Sequence, residues 1–375
     1  MAGGVRRLLV LALALAMIAC GAQPNQPTQD NTGANPPSEQ PSQSEGTLEE
    51  LAKAEGTVTW YTTGSIEAAT AVAEEFTAAT GIRVEIFRQT AGPLTETFYA
   101  DVARNDIKAD VISHSEPSTL LTMGEEGLIE RVEPKDAAKF PSEPVTAMAG
   151  YGYPDRWLFY VIVYNADRMT QDEVAFLESD PWNAITDPRF KGEITLPDPN
   201  VNGGSFNNFY LLGEWMGGGD RQAAQDWYAR LAANEPVFFN SNGPAADAVA
   251  SGEVKIGILS ESFSAALIQQ GAPLVEIYPS PIMANYGATG VVAGAPHPNA
   301  ARLFFDWFLS AEGQSAWNRH YAVAVPHADV EDARSYLTEK AWYRPPTEFY
   351  YAEDLKQQDA ERTPFLEQFN RIFGL

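Results

Sequence analysis

TVTWYTTGSIEAATAVAEEFTAATGIRVEIFR, residues 57–88, reads as strand, helix, strand. TVTWYT and IRVEIFR are dense in β-branched and aromatic residues. Between them Ile66, Ala69, Val72, Ala73 and Phe76 recur at helical spacing. Ser65 stands at the helix start and Gly81 where the helix must end. The alternation continues with PLTETFYADVARN as a helix, ADVISHS as a strand and EPSTLLTMGEEG as a helix. A β-α-β-α-β run of this kind implies a mostly parallel sheet covered by helices. Ligand clefts of such sheets lie beyond the carboxyl ends of the strands. Those ends carry YTTGS, FRQTAGP and SHSEP, all rich in hydroxyls and small residues.

Downstream, WLFYVIVYN (157–165) is an apolar strand long enough to cross between two lobes. GEITLPDP, PVFFN and VKIGILSES follow as strands, with helical patterns in GGSFNNFYLLGEWMG, DRQAAQDWYARLAAN and PAADAVASG. GATGVVAG and NAARLFFDWFLSAEGQSAW supply a further strand and two helices. The expected fold class is α/β with two lobes, each a mixed, mostly parallel sheet flanked by helices. Lobe 1 is expected over 48–156 and again over 285–330, lobe 2 over 157–284, and C-terminal helices spread over both lobes across 331–375. No internal repeat is apparent.

Upstream, Arg6 and Arg7 precede twelve apolar residues, LLVLALALAMIA. That run is too short to span a bilayer, which takes about 20, and has the length of a signal-peptide core. MIAC resembles the lipobox of bacterial lipoproteins, with Met17 where leucine is commonest, and Cys20 is the chain's single cysteine. The resemblance implies a lipoprotein signal over 1–19 and lipidation at Cys20, and two acyl chains hold a protein stably on a membrane. Residues 20–47 are rich in Pro, Gln, Asn, Ser and Thr with almost no apolar side chains. Such a segment buries too little surface to offset its chain entropy and reads as a disordered tether.

The formal net charge of −25 excludes nucleic acid and anionic lipid surfaces as general partners. It leaves open the charge of a ligand in an internal cleft, where a few local donors decide. Catalytic machinery is not visible: there is no H-E-x-x-H, no G-x-S-x-G and no phosphate-loop lysine, and His114, His297, His320 and His327 are scattered. The chain reads as a binder, not an enzyme.

Several stretches resemble the periplasmic solute-binding proteins of ABC importers, in the class that includes the ferric-ion-binding proteins. They are GTVTWYTTGSIEAATAVAEEFTAATGIRVE, ADVISHSEPSTLLTMGEEGLIE, VYNADRMT, AADAVASGEVKIGIL and HPNAARLFFDWFLSAEGQSAW. The resemblance implies the two-lobe type II periplasmic-binding-protein fold, a small-molecule solute as ligand, an ABC permease as partner, and a monomer outside the cytoplasm. It also implies where iron would be held, and there the chain departs from the pattern. The paired-tyrosine positions fall on Ser262 and Phe263, the histidine position on Ser65, and the glutamate position on Ser115 or, with a one-residue slip, on Glu116. Serine hydroxyls do not replace phenolates on Fe(III). His114 and Glu116 are too few for a usual metal set, so no metal and no cofactor is expected.

The anion-holding part of the pattern is better kept. Gly203, Gly204 and Ser205 fall on the family's small-residue loop at a helix start, and Asn242 and Ser260 on its two asparagine positions. Glycines at a helix N-terminus let an anion approach backbone N–H groups. On the facing lobe Thr62, Thr63, Ser65, His114 and Ser115 lie near strand ends, and Arg88 is placed to fork onto a phosphonate, phosphate or carboxylate. Ser262 joins the lobe 2 set, and Tyr286 either stacks on the ligand or lines the hinge. The expected ligand is a small organic anion. A neutral sugar or polyol, ferric iron with atypical ligands, and a sensor lipoprotein without transport are the alternatives. Cys20→Ala is expected to move the protein from the membrane to the soluble fraction on cell fractionation, and continued membrane retention would overturn the lipobox reading.

Overall fold

The computed structural model describes residues 46–352 and 354–375. The signal segment, Cys20 and nearly all of the tether lie outside the described residues.

The described residues form ten strands: β1 (Thr57–Thr62), β2 (Arg83–Arg88), β3 (Val111–His114), β4 (Tyr153–Asn165), β5 (Ile194–Pro197), β6 (Val237–Phe239), β7 (Ile256–Ser260), β8 (Leu274–Ile277), β9 (Ile282–Val291) and β10 (Phe349–Tyr350). Along the main path they run β2-β1-β3-β9-β4-β7-β5-β6, with β8 on β4 and β10 on β9. β1 is parallel to β2 and β3, and β5 is parallel to β6 and β7. The antiparallel pairs all involve β4 or β9.

β4 makes two lobes out of one path. At roughly 3.3 Å per residue its thirteen residues span about 43 Å. Tyr153–Phe159 pair with β9, whereas Tyr160–Asn165 pair with β7 and β8. The strand begins four residues before the apolar run WLFYVIVYN, because Asp155 and Arg156 are buried against each other and so do not end it.

Each sheet is packed on both faces. In the first lobe Trp60 of β1 meets Phe304, Phe308 and Trp317, with centroids 5.1–5.6 Å apart. These rings come from the helices Pro298–Phe308 and Ala311–Tyr321, while Val72 and Phe76 of the helix Ile66–Thr80 join the same core. Tyr61, one residue on, points to the opposite core of Leu94, Phe98, Leu120 and Met123, as the two-residue period of a strand requires. The helix Ile66–Thr80 is capped by Ser65 and stopped by Gly81 at φ 79°. In the second lobe Phe209, Leu212, Trp227 and Phe369 bring together the helices Gly203–Gly217, Arg221–Ala232 and Arg362–Phe373.

A buried polar cluster ties the C-terminal segment to this lobe. Arg334 pairs with Glu261 at 2.8 Å and with Asp332 at 2.7 Å. The Tyr278 hydroxyl lies 2.7 Å from both Glu261 and Glu276. One hydroxyl carries one proton, so for both contacts to be hydrogen bonds one carboxyl must donate to the phenol oxygen. Glu261 faces Arg334, which leaves Glu276 as the protonated group. Burial and then the Glu261 charge push its pKa up to about 8 from 4.5. Between those values the folded state holds a proton that the unfolded state has lost, so stability declines as pH rises through that window. Glu276→Gln is expected to flatten the decline and raise the melting temperature relative to wild type above pH 8. Equal pH slopes in the two proteins, followed by thermal unfolding, would contradict the assignment.

Candidate functional site

The carboxyl ends of six strands converge on one cavity of about 370 Å³. Thr63 follows β1, Arg88 ends β2, and Ser115 and Glu116 follow β3. From the other lobe, Asn200–Gly204 follow β5, Asn240–Asn242 follow β6, and Ser260 and Ser262 lie at the end of β7. Leu158 and Tyr160 of β4 form part of the wall, as do Thr90, Phe263, Tyr321 and Arg362.

Most of these groups are held by identifiable partners. Asn242 Oδ1 accepts the Ser260 N–H at 2.9 Å, and its Nδ2 donates to the Tyr160 hydroxyl at 3.4 Å. The Tyr160 and Ser205 hydroxyls are 2.6 Å apart. Burial pushes the Tyr160 pKa up to about 12, so it stands as a neutral phenol. Thr63 Oγ1 accepts from Arg156 Nη2 at 3.0 Å. The helix Gly203–Gly217 is capped by Asn202, whose Oδ1 takes the Ser205 N–H at 3.0 Å. That leaves the start of the helix, at Gly203 and Gly204, on the cavity wall.

Three charged side chains line the cavity: Arg88, Arg362 and Glu116. Arg362 donates from Nη2 to Glu116 Oε2 at 2.8 Å and lies 4.2 Å over the Phe206 ring. Arg88 donates from Nε to the Gly64 carbonyl at 3.1 Å and has no carboxylate partner among the described residues. Its fork is therefore oriented but not used. With Glu116 spent on Arg362, Arg88 leaves the wall one net positive charge, tempered by the nearby Glu67 carboxylate, in a chain of net charge −25.

Of the residues expected at the site, Thr63, Arg88, Ser115, Gly203, Gly204, Asn242, Ser260 and Ser262 line this cavity. Thr62, Ser65, His114, Ser205 and Tyr286 do not. Thr62 is buried and its Oγ1 accepts the Gly64 N–H at 3.0 Å. Ser65 is spent on its helix, capping Ala68 N–H and donating to Glu67. His114 is fully buried: Nδ1 accepts the Glu116 N–H at 3.0 Å and Nε2 faces Thr95 and the Ala91 carbonyl, while burial lowers its pKa and keeps it neutral. Ser205 sits behind Tyr160. Tyr286 faces the opposite side of the sheet, in a separate cavity. Tyr160, Tyr321 and Arg362 escaped sequence reasoning. The one local signal for Arg362 is a cation in the first turn of a helix, where the dipole disfavours it.

No group of three or more His, Cys, Asp or Glu placed to hold a metal ion occurs among the described residues. The two lobes touch at Gly203: a β-carbon added there would fall 1.6 Å from Glu116 Oε1. Gly203→Ala is therefore expected to push the Glu116 carboxylate off Arg362, costing about 1 kcal/mol or less for so partly exposed a pair. The ligand-free protein should expand in small-angle X-ray scattering, and an unchanged radius of gyration would contradict the contact.

A sequence profile of the bacterial extracellular solute-binding proteins matches residues 106–350. An uncharacterized protein of Haemophilus influenzae is 31% identical over 140 residues, which is 37% of this chain and only 40% of that protein's length. Among solved structures, iron-bound HitA from Pseudomonas aeruginosa superposes with a TM-score of 0.68 at 20% identity, covering 84% of this chain and 99% of its own. AfuA from Actinobacillus pleuropneumoniae, with fructose-6-phosphate bound, gives 0.66 at 21%, covering 85% and 99%. The spermidine/putrescine transporter protein PotD from Streptococcus pneumoniae gives 0.65 at 14%, covering 84% and 99%. At these identities the structural likeness shows the fold: these are two-lobe, type II periplasmic binding proteins.

Proposed function

The chain belongs to the bacterial extracellular solute-binding proteins, and from that premise we propose that it captures a small organic anion between its lobes. As the solute-binding component of an ABC importer it works outside the cytoplasm and hands its ligand to the permease. A lipid on Cys20 and a tether over 20–47 would keep the binder near its permease.

Arg88 carries the reading of the ligand. Its Nε is fixed by the Gly64 carbonyl, it forms no ion pair among the described residues, and it lines the cavity. A guanidinium held in this way offers two parallel donors to a phosphate, phosphonate or carboxylate. The exposed start of the helix Gly203–Gly217 adds backbone N–H groups and a favourable dipole on the facing lobe. Asn242, Ser260, Ser262, Thr63 and Ser115 supply neutral hydrogen-bonding groups for the rest of the ligand. Relatives of this fold are named for iron, a sugar phosphate and polyamines, so the fold alone does not choose among ligands and the lining must.

Iron is poorly supported by that lining. Of its two tyrosines, Tyr160 is a neutral phenol engaged by Ser205 and Asn242 and Tyr321 packs on Trp317 at 4.8 Å, and its one carboxylate is engaged by Arg362. A neutral sugar or polyol is favoured by the many amides and hydroxyls, but it would leave the Arg88 fork at the cavity without an anionic hydrogen-bond partner.

Capture requires the lobes to close, and a ligand shifts that equilibrium only by binding the closed state better. β4 and β9 are the strands paired to both sheets or at their junction, and we place the hinge there. The test is calorimetric titration of inorganic phosphate, an alkylphosphonate, a sugar phosphate and a dicarboxylate into wild type and Arg88→Ala. Loss of a charge-assisted hydrogen bond should weaken the best anion about 10- to 100-fold. Unchanged affinity would remove Arg88 from the site.

A further inference from the structure

Tyr286 opens onto a second cavity. Along β4, Leu158 and Tyr160 face the cleft, so Trp157 and Phe159 turn to the other side of the sheet. Tyr286 is opposite Trp157 in the β4–β9 ladder and shares its face. Behind the crossing strands lies a cavity of about 660 Å³, larger than the cleft. It is walled by the short helix Ser142–Ala147 and by residues 349–352.

Its chemistry is unlike that of the cleft. Trp157, Phe349 and Tyr351 present rings 5.8–6.0 Å apart at 16–40°, with Phe159 stacked on Trp157 at 5.7 Å. Phe349, Tyr351 and Tyr286 line the cavity, and among the described residues Glu143 is the only charged one that does, with no lysine or arginine. The Tyr286 hydroxyl is buried without a hydrogen-bond partner among the described residues. An unsatisfied buried hydroxyl is costly, and a ligand that supplies its partner would recover that cost. Burial raises the pKa of both Tyr286 and Tyr351, so the phenols are neutral, and Glu143 raises that of Tyr351 further.

We propose that this cavity is a second binding site, for an organic cation of metabolite size carrying a quaternary ammonium or protonated amine. Aromatic faces and a carboxylate attract a positive centre, and among the described residues no basic side chain lines the cavity to neutralise an anion. The volume suits a small organic molecule. The site is separate from the cleft in residues and in charge, so it stands whether or not the cleft takes an anion.

The experiment is calorimetric titration of choline, whose hydroxyl can partner that of Tyr286, into the whole protein. Saturable one-to-one binding is expected, weakened about tenfold or more by Glu143→Gln and by Tyr351→Leu, and unchanged by Glu116→Gln in the cleft. Glu143 is exposed, so its variant tests the charge without disturbing the core. Thermal unfolding checks that Tyr351→Leu is folded. Absence of saturable binding, binding that survives Glu143→Gln unchanged, or binding lost in Glu116→Gln would each overturn the proposal.

Discussion

Arg156 carries its charge inside the protein, only 1% exposed, and the junction of the two lobes is organised around that fact. A buried guanidinium is tolerated only when paired and hydrogen-bonded. Asp155, its neighbour on β4, supplies the charge, although burial itself works to raise that carboxyl's pKa. Asp155 in turn accepts from Thr289 on β9, Thr289 meets Ser113 on β3 at 2.6 Å, and Ser113 accepts the Trp60 indole N–H at 2.8 Å on β1. One chain of donors thus stitches four adjacent strands together. At its other end Arg156 reaches Thr63 in the cleft and lies 5.9–6.0 Å from the Trp317 and Tyr321 rings. The same pair keeps the strand continuous through YPDR, and Gly287 has no side chain because the guanidinium fills that space.

From this junction the cleft follows. Parallel strands on either side end toward the shared strands, so six strand ends face one another across a single cavity. Their loops carry hydroxyls, amides and glycines, which offer donors without taking up volume. Glu116 reaches across from the first lobe to Gly203 and Arg362, and spends one of the two cleft arginines in doing so. What remains for a ligand is Arg88 and a helix start. That remainder, more than the overall acidity of the chain, sets the expected charge of the solute.

Much of the first lobe was legible because its signals are local. Ser65 and Gly81 bracket a helix whose apolar period is unbroken, and Arg88 ends a strand whose neighbours could be read in order. What sequence could not supply was the far partner. Tyr286 lies in a strand buried at every position, IMANYGATGV, so no alternation marks its face, which depends on its pairing with Trp157, far away along the chain. Arg362 is 246 residues from Glu116, and no local pattern links them. His114 was drawn to the site by its position at a strand end, yet that ring turns inward, where backbone groups satisfy both nitrogens. The LVEI strand was missed because Glu276 interrupts it, and a buried protonated carboxyl reads in sequence as a surface charge.

Thermal unfolding of the protein against a ligand panel bears most directly on the central claim. The panel should hold phosphonates, sugar phosphates, carboxylates, neutral sugars and ferric citrate. A ligand at a thousand times its dissociation constant stabilises the native state by about 4 kcal/mol, which raises the midpoint by several degrees. The expected result is a shift with one of the organic anions and none with neutral sugars. A shift confined to neutral sugars or to ferric citrate would contradict the account.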